Sequence, residues 1–211
     1  MKFVLATANP DKADEIGSVL RAADPGIELV ERPNDVPDVV ETGETLEDNA
    51  RLKAAAVSAA TDLPTIADDT GLEVDALDGA PGVRSARYAG ADATYDANVA
   101  RLLAELAGLP LERRTARFST VAVAHWPDGL EVAALGSVEG IITAVPRGEH
   151  GFGYDPVFVP VAGDGRTFAE MTAEEKHAHS HRGEAFRTLA QGLRVIHQTG
   201  WQTESDRGGA T

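Results

Sequence analysis

Residues 117–139 read RFSTVAVAHWPDGLEVAALGSVE. Arg117 to Trp126 and Leu130 to Glu139 are two β-rich runs, and Pro127-Asp128-Gly129 between them carries the turn residues of a hairpin. Upstream of this pair, strand-like and helix-like stretches alternate along the chain. Interleaved strands and helices followed by a hairpin predict an α/β fold with a mixed sheet, because an all-parallel sheet contains no hairpins.

Working outward, Lys2 to Ala6 (KFVLA) reads as a short buried strand, and Asn9-Pro10 gives a helix cap followed by proline at the first helical position. The helix is expected from about Pro10 to Ala22, with Ile16, Val19 and Leu20 inward. Ile27 to Glu31 is a second strand, and the Pro- and Asp-rich Arg32 to Gly43 is a loop with room for a short edge strand. Thr45, with Asp48 three residues on, opens an Ala-rich helix running to about Ala60. Thr65 to Ala67 is a short strand ending at Asp68-Asp69, with Leu72 to Val74 as a possible continuation. Asp78 to Gly90 is irregular, and Thr94 caps a helix that ends near Gly108-Leu109-Pro110. After the hairpin come a strand at Val157 to Val159, a helical turn at Thr172 to Glu175 and a last helix from Gly183 to Gln198. One domain over residues 1–200 is expected, with a polar, glycine-rich tail at 201–211 that is expected to be disordered.

The chain has 211 residues, 43% hydrophobic and 25% charged, a globular mix. It contains no cysteine, which excludes thiol catalysis and disulfides and suits the cytoplasm. No apolar run reaches the length of a membrane span, and MKFVLATANP lacks the apolar centre of a signal peptide. A net charge of −15 argues against nucleic acid or an anionic membrane as partner. A polyanionic ligand would need a locally basic pocket, and the chain has only four lysines: Lys2, Lys12, Lys53 and Lys176.

Three of those lysines fall in segments that could carry chemistry. In TANPDK (Thr7, Ala8, Asn9, Pro10, Asp11, Lys12) a strand gives way to a helix whose free N–H groups, with Lys12, suit a phosphate. A plain capped turn explains the same residues. IADDTG places Asp68, Asp69 and Thr70 where an open α/β sheet binds ligands, and Glu41 offers a third acid of the kind Mg²⁺ uses beside phosphates. Asn49 and Lys53 share one helical face. GFGYDP (Phe152, Gly153, Tyr154, Asp155 at its centre) combines close backbone approach with flat rings for a base. EEKHAHSHRG holds Lys176, His181 and Arg182 in an expected loop between helices; its alternating histidines would converge on a metal only if extended. Basic groups opposed to several acids form the set that a metal-bound polyphosphate requires.

The ordered set TANPDK, ETGETLEDNARLKA, IADDTGLEVDALDGAPGVRSARYAG, GFGYDPVF and EMTAEEKHAHSHRGEA closely resembles the inosine/xanthosine triphosphate pyrophosphatase family, over roughly Met1 to Gln198. The resemblance implies an elongated mixed β-sheet flanked by helices, with the active-site cleft between two lobes, and a homodimer. It implies Mg²⁺-dependent hydrolysis of ITP, dITP and XTP to monophosphate and pyrophosphate. On this resemblance Thr7 to Lys12 and Lys53 meet the phosphates, and Asp69 is proton acceptor and, with Glu41, metal ligand. Asp68 and Thr70 lie beside them, Phe152 to Asp155 hold the base, and Lys176, His181 and Arg182 complete the pocket. Thr70 stands where the family commonly has serine. The competing readings are a pyrophosphatase for other nucleotides, an aspartyl-phosphate phosphatase built on Asp68-Asp69-Thr70, and a nucleotide-sensing module without turnover.

Overall fold

The computed structural model describes residues 1–199; the tail expected to be disordered lies outside the described residues. Seven strands form one mixed sheet: β1 (Lys2–Leu5), β2 (Glu28–Glu31), β3 (Thr65–Val74), β4 (Pro81–Gly82), β5 (Thr115–His125), β6 (Glu131–Ile142) and β7 (Phe158–Pro160). Their order is β2-β1-β3-β5-β6-β7, with β4 on the edge of β3. β1 runs parallel to β2 and β3, and all other pairs are antiparallel. The hairpin read from residues 117–139 is the β5–β6 pair, and Trp126 N–H closes its turn on Leu130 O. Both strands extend past their expected outer ends, β5 starting at Thr115 and β6 ending at Ile142, because pairing with β3 and β7 continues beyond their β-branched centres.

β3, β5 and β6 have 10, 11 and 12 residues, about 33–40 Å each at 3.3–3.4 Å per residue, so they run through two lobes. At one end, α1 (Pro10–Ala23) and α5 (His181–Gln198) cover one face and α2 (Leu46–Thr61) the other. Strand alternation divides these layers. Phe3, Leu5 and Ile66 meet Ile16, Leu20, Phe186 and Leu189, while Val4, Ala6 and Ala67 meet Ala50, Ala54 and Val57. At the far end, Leu72, Phe118, Ile142 and Phe158 pack with Leu102 and Leu106 at and beyond α3 (Tyr95–Glu105).

The helix starts follow local chemistry: Asn9, Thr45, Thr94 and Ser180 each accept a first-turn N–H, and Pro10 occupies the first position of α1. Two expectations need correction. Asp68 and Asp69 do not end a strand; they sit in the middle of β3, whose pairing with β5 is unbroken from Thr65 to Val74. Glu174 to Gly183 is not a loop. α4 (Ala173–His179) abuts α5 through Ser180 alone, which ends one helix and caps the next. The short edge strand allowed for in residues 32–43 does not form. Among the described residues no helix is long and apolar enough to cross a membrane.

Candidate active site

β1 leaves the edge of β3 after pairing at Ile66, and β4 takes that edge up at Leu72. The stretch between them, which holds Asp68, Asp69 and Thr70, is open to a cleft between the lobes. Neighbouring residues of a strand point to opposite faces. Asp68 follows Ile66 toward α1 and α5, where its Oδ2 lies 3.1 Å from Lys12 Nζ and 3.9 Å from Arg182 Nε. Asp69 follows Ala67 toward α2, where Lys53 Nζ reaches Oδ1 at 2.9 Å and Asn49 Nδ2 reaches Oδ2 at 3.3 Å.

Lys53 also donates to Glu41 Oε1 at 3.0 Å, and Arg87 donates to Glu41 Oε2 at 3.1 Å from the far lobe. Two carboxylates thus converge on one ammonium. Such a spot already holds a positive charge between hard oxygen ligands, which fits Mg²⁺ in a site of one or two carboxylates plus phosphates. Among the described residues no three histidine or acidic side chains are grouped to hold a metal. His177 and His179 lie two positions apart on α4 and so point to different sides, while His181 belongs to α5.

The electrostatics separate the two aspartates. Burial works against charge on Asp68, but Lys12, Arg182 and Lys53 outweigh it and hold the carboxyl at about 2. Burial also pushes Asp69 up, Glu41 adds to that, and Lys53 and Lys12 do not cancel it, so its carboxyl stays above the usual aspartate value. Glu41 is lowered, since Lys53 and Arg87 overcome its burial. Lys53 is raised, because Asp68, Asp69 and Glu41 overcome its desolvation. One acid is thus fixed as an anion and its neighbour is the better proton acceptor.

A polar hollow lined by Thr7, Ala8, Asn9, Lys12, Glu41, Lys53 and Asp68 adjoins a second, more apolar one walled by Val83, Phe118, Phe152, Tyr154 and His181. They share Asn9, Lys12, Glu41 and Ala86, so one cleft has a charged end and an aromatic end. His181 stacks on Phe118 with centroids 4.5 Å apart and planes 11° from parallel. Burial, then Arg182 and Lys176, push its imidazole well below the ordinary value, so it is neutral. Asp68 Oδ1, His181 Nδ1 and Arg182 Nε are buried without a hydrogen-bond partner among the described residues, as in a site built to meet a polar ligand.

Residues 3–192 match the sequence profile of the Ham1 family. The chain belongs to the Ham1 family. A dITP/XTP pyrophosphatase of Symbiobacterium thermophilum is 46% identical over 200 residues, 94% of this chain and 98% of that protein. Another from Frankia alni is 48% identical over 201 residues, 93% and 98% of the two chains. Among solved structures, a HAM1 protein from Coxiella burnetii superposes with a TM-score of 0.82 at 39% identity, covering 92% of this chain and 99% of that one. A nucleoside-triphosphatase / dITP/XTP pyrophosphatase from Mycobacterium abscessus gives 0.71 at 46% identity, covering 93% and 100%.

The Ham1 cleft gathers most of the residues singled out from sequence, with exceptions. Lys176 does not line it: the side chain is buried behind Phe152, 4.9 Å from the ring centroid, bonded to Asp155 Oδ2 at 2.6 Å and to Glu15. Pro10 starts α1, and Asp11 stands outside the cleft lining, accepting from Tyr95 at 3.4 Å. Asp155, by contrast, lines the aromatic hollow, where its Oδ2 also accepts Phe152 N–H at 2.8 Å. Glu15 was missed, although it pairs with both Lys176 and Arg182; an acid on a polar helix face gives no signal in sequence. Tyr95 was also missed. It accepts from Asn9 Nδ2 at 2.8 Å and packs on Phe152 at 5.8 Å, so it joins the two ends of the Ham1 cleft.

Proposed function

We propose that this chain hydrolyses inosine, deoxyinosine and xanthosine triphosphates to the monophosphate and pyrophosphate, removing them from the nucleotide pool. The observation that carries this reading is the single cleft with an acid–lysine cluster at one end and an aromatic hollow at the other. The names of its relatives as dITP/XTP pyrophosphatases support it.

In this reading the base enters between Phe152 and the Phe118–His181 stack, and the phosphates lie at the start of α1 against Lys12 and Lys53. Glu41 and Asp69 would hold Mg²⁺, which neutralises the triphosphate and polarises its phosphorus–oxygen bonds. Asp69 orients a water toward the α-phosphorus and accepts its proton, a role suited to its raised carboxyl. Asp68 stays ionised and keeps Lys12 and Arg182 in place. Lys12 and Lys53 then hold the charge of departing pyrophosphate. A donor from His181, Arg182 or the backbone facing purine position 6 accepts a keto oxygen, whereas an adenine amino group would leave donors opposed. Exclusion of GTP falls to the shape of the pocket around position 2.

The absence of cysteine suits a cytoplasmic enzyme, and a homodimer belongs to the same proposal. The test is a panel of ITP, XTP, dITP, GTP, ATP and dTTP with Mg²⁺ or EDTA, scoring monophosphate and pyrophosphate separately from inorganic phosphate. Pyrophosphate from ITP, dITP and XTP, lost in EDTA, is expected. Comparable efficiency with GTP would remove the selectivity, and no turnover would remove the enzyme.

A further inference from the structure

Asn49 lies on α2 one turn before Lys53 and is completely buried at 0% exposure. Both ends of its amide are used. Oδ1 accepts Gly43 N–H at 2.8 Å, and Nδ2 donates to Asp69 Oδ2 at 3.3 Å. The orientation is forced, because a backbone N–H only donates and an ionised carboxylate only accepts. Gly43 follows Glu41 by two residues, so one side chain is shared between the strand that carries Asp69 and the loop that carries Glu41. The loop approaches too closely for any side chain there. A Cβ on Gly43 would stand 2.6 Å from Asp48 Cβ and 2.7 Å from Asn49 Oδ1.

We propose that Asn49 is a positioning residue for hydrolysis, locking the Asp69 carboxylate and the Glu41 loop into one unit so that both acids meet the metal together. This rests on the assignment of Glu41 and Asp69 as metal ligands made above. Asn49 lines neither hollow of the cleft. Lys53 holds Asp69 by one oxygen only, at 2.9 Å; the buried amide fixes the other and sets the rotation of the carboxylate. Without Asn49, that oxygen is free and Gly43 N–H loses its acceptor. Loss of such an outer-shell partner costs about 10–100-fold in metal affinity or rate.

The test compares Asn49→Ala and Gly43→Ala with the unaltered chain. Mn²⁺ binding is read by electron paramagnetic resonance, IMP affinity is read in EDTA, and half-saturating Mg²⁺, kcat and KM are read with ITP. Asn49→Ala is expected to weaken Mn²⁺ binding about tenfold, raise half-saturating Mg²⁺ similarly, and lower kcat at saturating Mg²⁺ at least about tenfold, with IMP affinity nearly unchanged. Gly43→Ala drives a Cβ against Asn49 Oδ1 and Asp48 Cβ, so the Gly43–Asn49 bond breaks and the Glu41 loop is pushed away; half-saturating Mg²⁺ is expected to rise and kcat to fall in the same direction as in Asn49→Ala. Mn²⁺ affinity and kcat in Asn49→Ala within about twofold of the unaltered chain would overturn the proposal, as would equal losses of Mn²⁺ and IMP affinity, the mark of a general structural defect. If Asn49→Ala does not fold, an unchanged half-saturating Mg²⁺ in Gly43→Ala overturns it. If the unaltered chain splits no purine triphosphate, the functional reading fails, and the Mn²⁺ comparison still decides Asn49.

Discussion

Replacing Asp68 by asparagine removes the charge that α1 and α5 share at the floor of the cleft. Lys12 has Asp68 as its carboxylate partner at 3.1 Å, and Arg182 Nε lies 3.9 Å from the same oxygen. An ordinary aspartate titrates at 3.8, whereas Asp68 is held at about 2 against the opposing effect of its burial. At about 1.4 kcal/mol per pH unit, that gap is worth about 2–3 kcal/mol at neutral pH. Because the folded value is depressed, this stability is fully present above 3.8 and is lost as pH falls toward 2. Asp68→Asn should therefore lower the free energy of unfolding by about 2–3 kcal/mol at pH 7, or the melting temperature by about 5–10 °C for a chain of this size. The difference between the two proteins should shrink to about half by pH 3. Urea unfolding in EDTA at several pH values measures both. A difference that is absent at pH 7, or that is constant down to pH 3, would refute the assignment of Asp68 as the anion that the two cations hold.

Lys176→Met should cost about 3–5 kcal/mol by urea unfolding, because it leaves half-buried Glu15 and buried Asp155 facing one another without their shared cation. Gly136→Ala would place a Cβ 2.1 Å from His181 O and 2.4 Å from Ala185 N; the strand and α5 must part, with a loss of about 1–3 kcal/mol or more and a higher KM for ITP as His181 and Arg182 move. His181 should remain neutral through the pH at which an ordinary histidine takes its proton, read in nitrogen-15 spectra. As pH falls through the ordinary histidine value the unfolded chain takes a proton that folded His181 refuses, so its contribution to stability falls on the acid side; a midpoint near the ordinary value would contradict its burial on Phe118.

Helix starts and the hairpin were legible because they depend on neighbouring residues: Asn9-Pro10, Thr45-x-x-Asp48 and Pro127-Asp128-Gly129 act within one turn. The continuity of β3 was not legible. Two aspartates and Gly71 are poor strand residues, and what keeps them in register is long-range pairing with Ser119 to Ala122 and cations from α1, α2 and α5. Ser180 hid the junction of α4 and α5, since a residue that ends one helix while capping the next looks like loop in a linear reading. For the candidate site, the lysines, acids and aromatic motif could be named from residue type. Glu15 and Tyr95 could not, because their importance lies in contacts with Arg182 and with Phe152, far away in sequence.

The account turns on water attacking the α-phosphorus under the direction of Asp69. Hydrolysis of ITP in oxygen-18 water, with the products separated and weighed by mass spectrometry, tests this most directly. The account predicts one heavy oxygen in IMP, unlabelled pyrophosphate, and loss of both products in Asp69→Asn by at least about a hundredfold. Label in pyrophosphate, or inorganic phosphate with a diphosphate product, would contradict it.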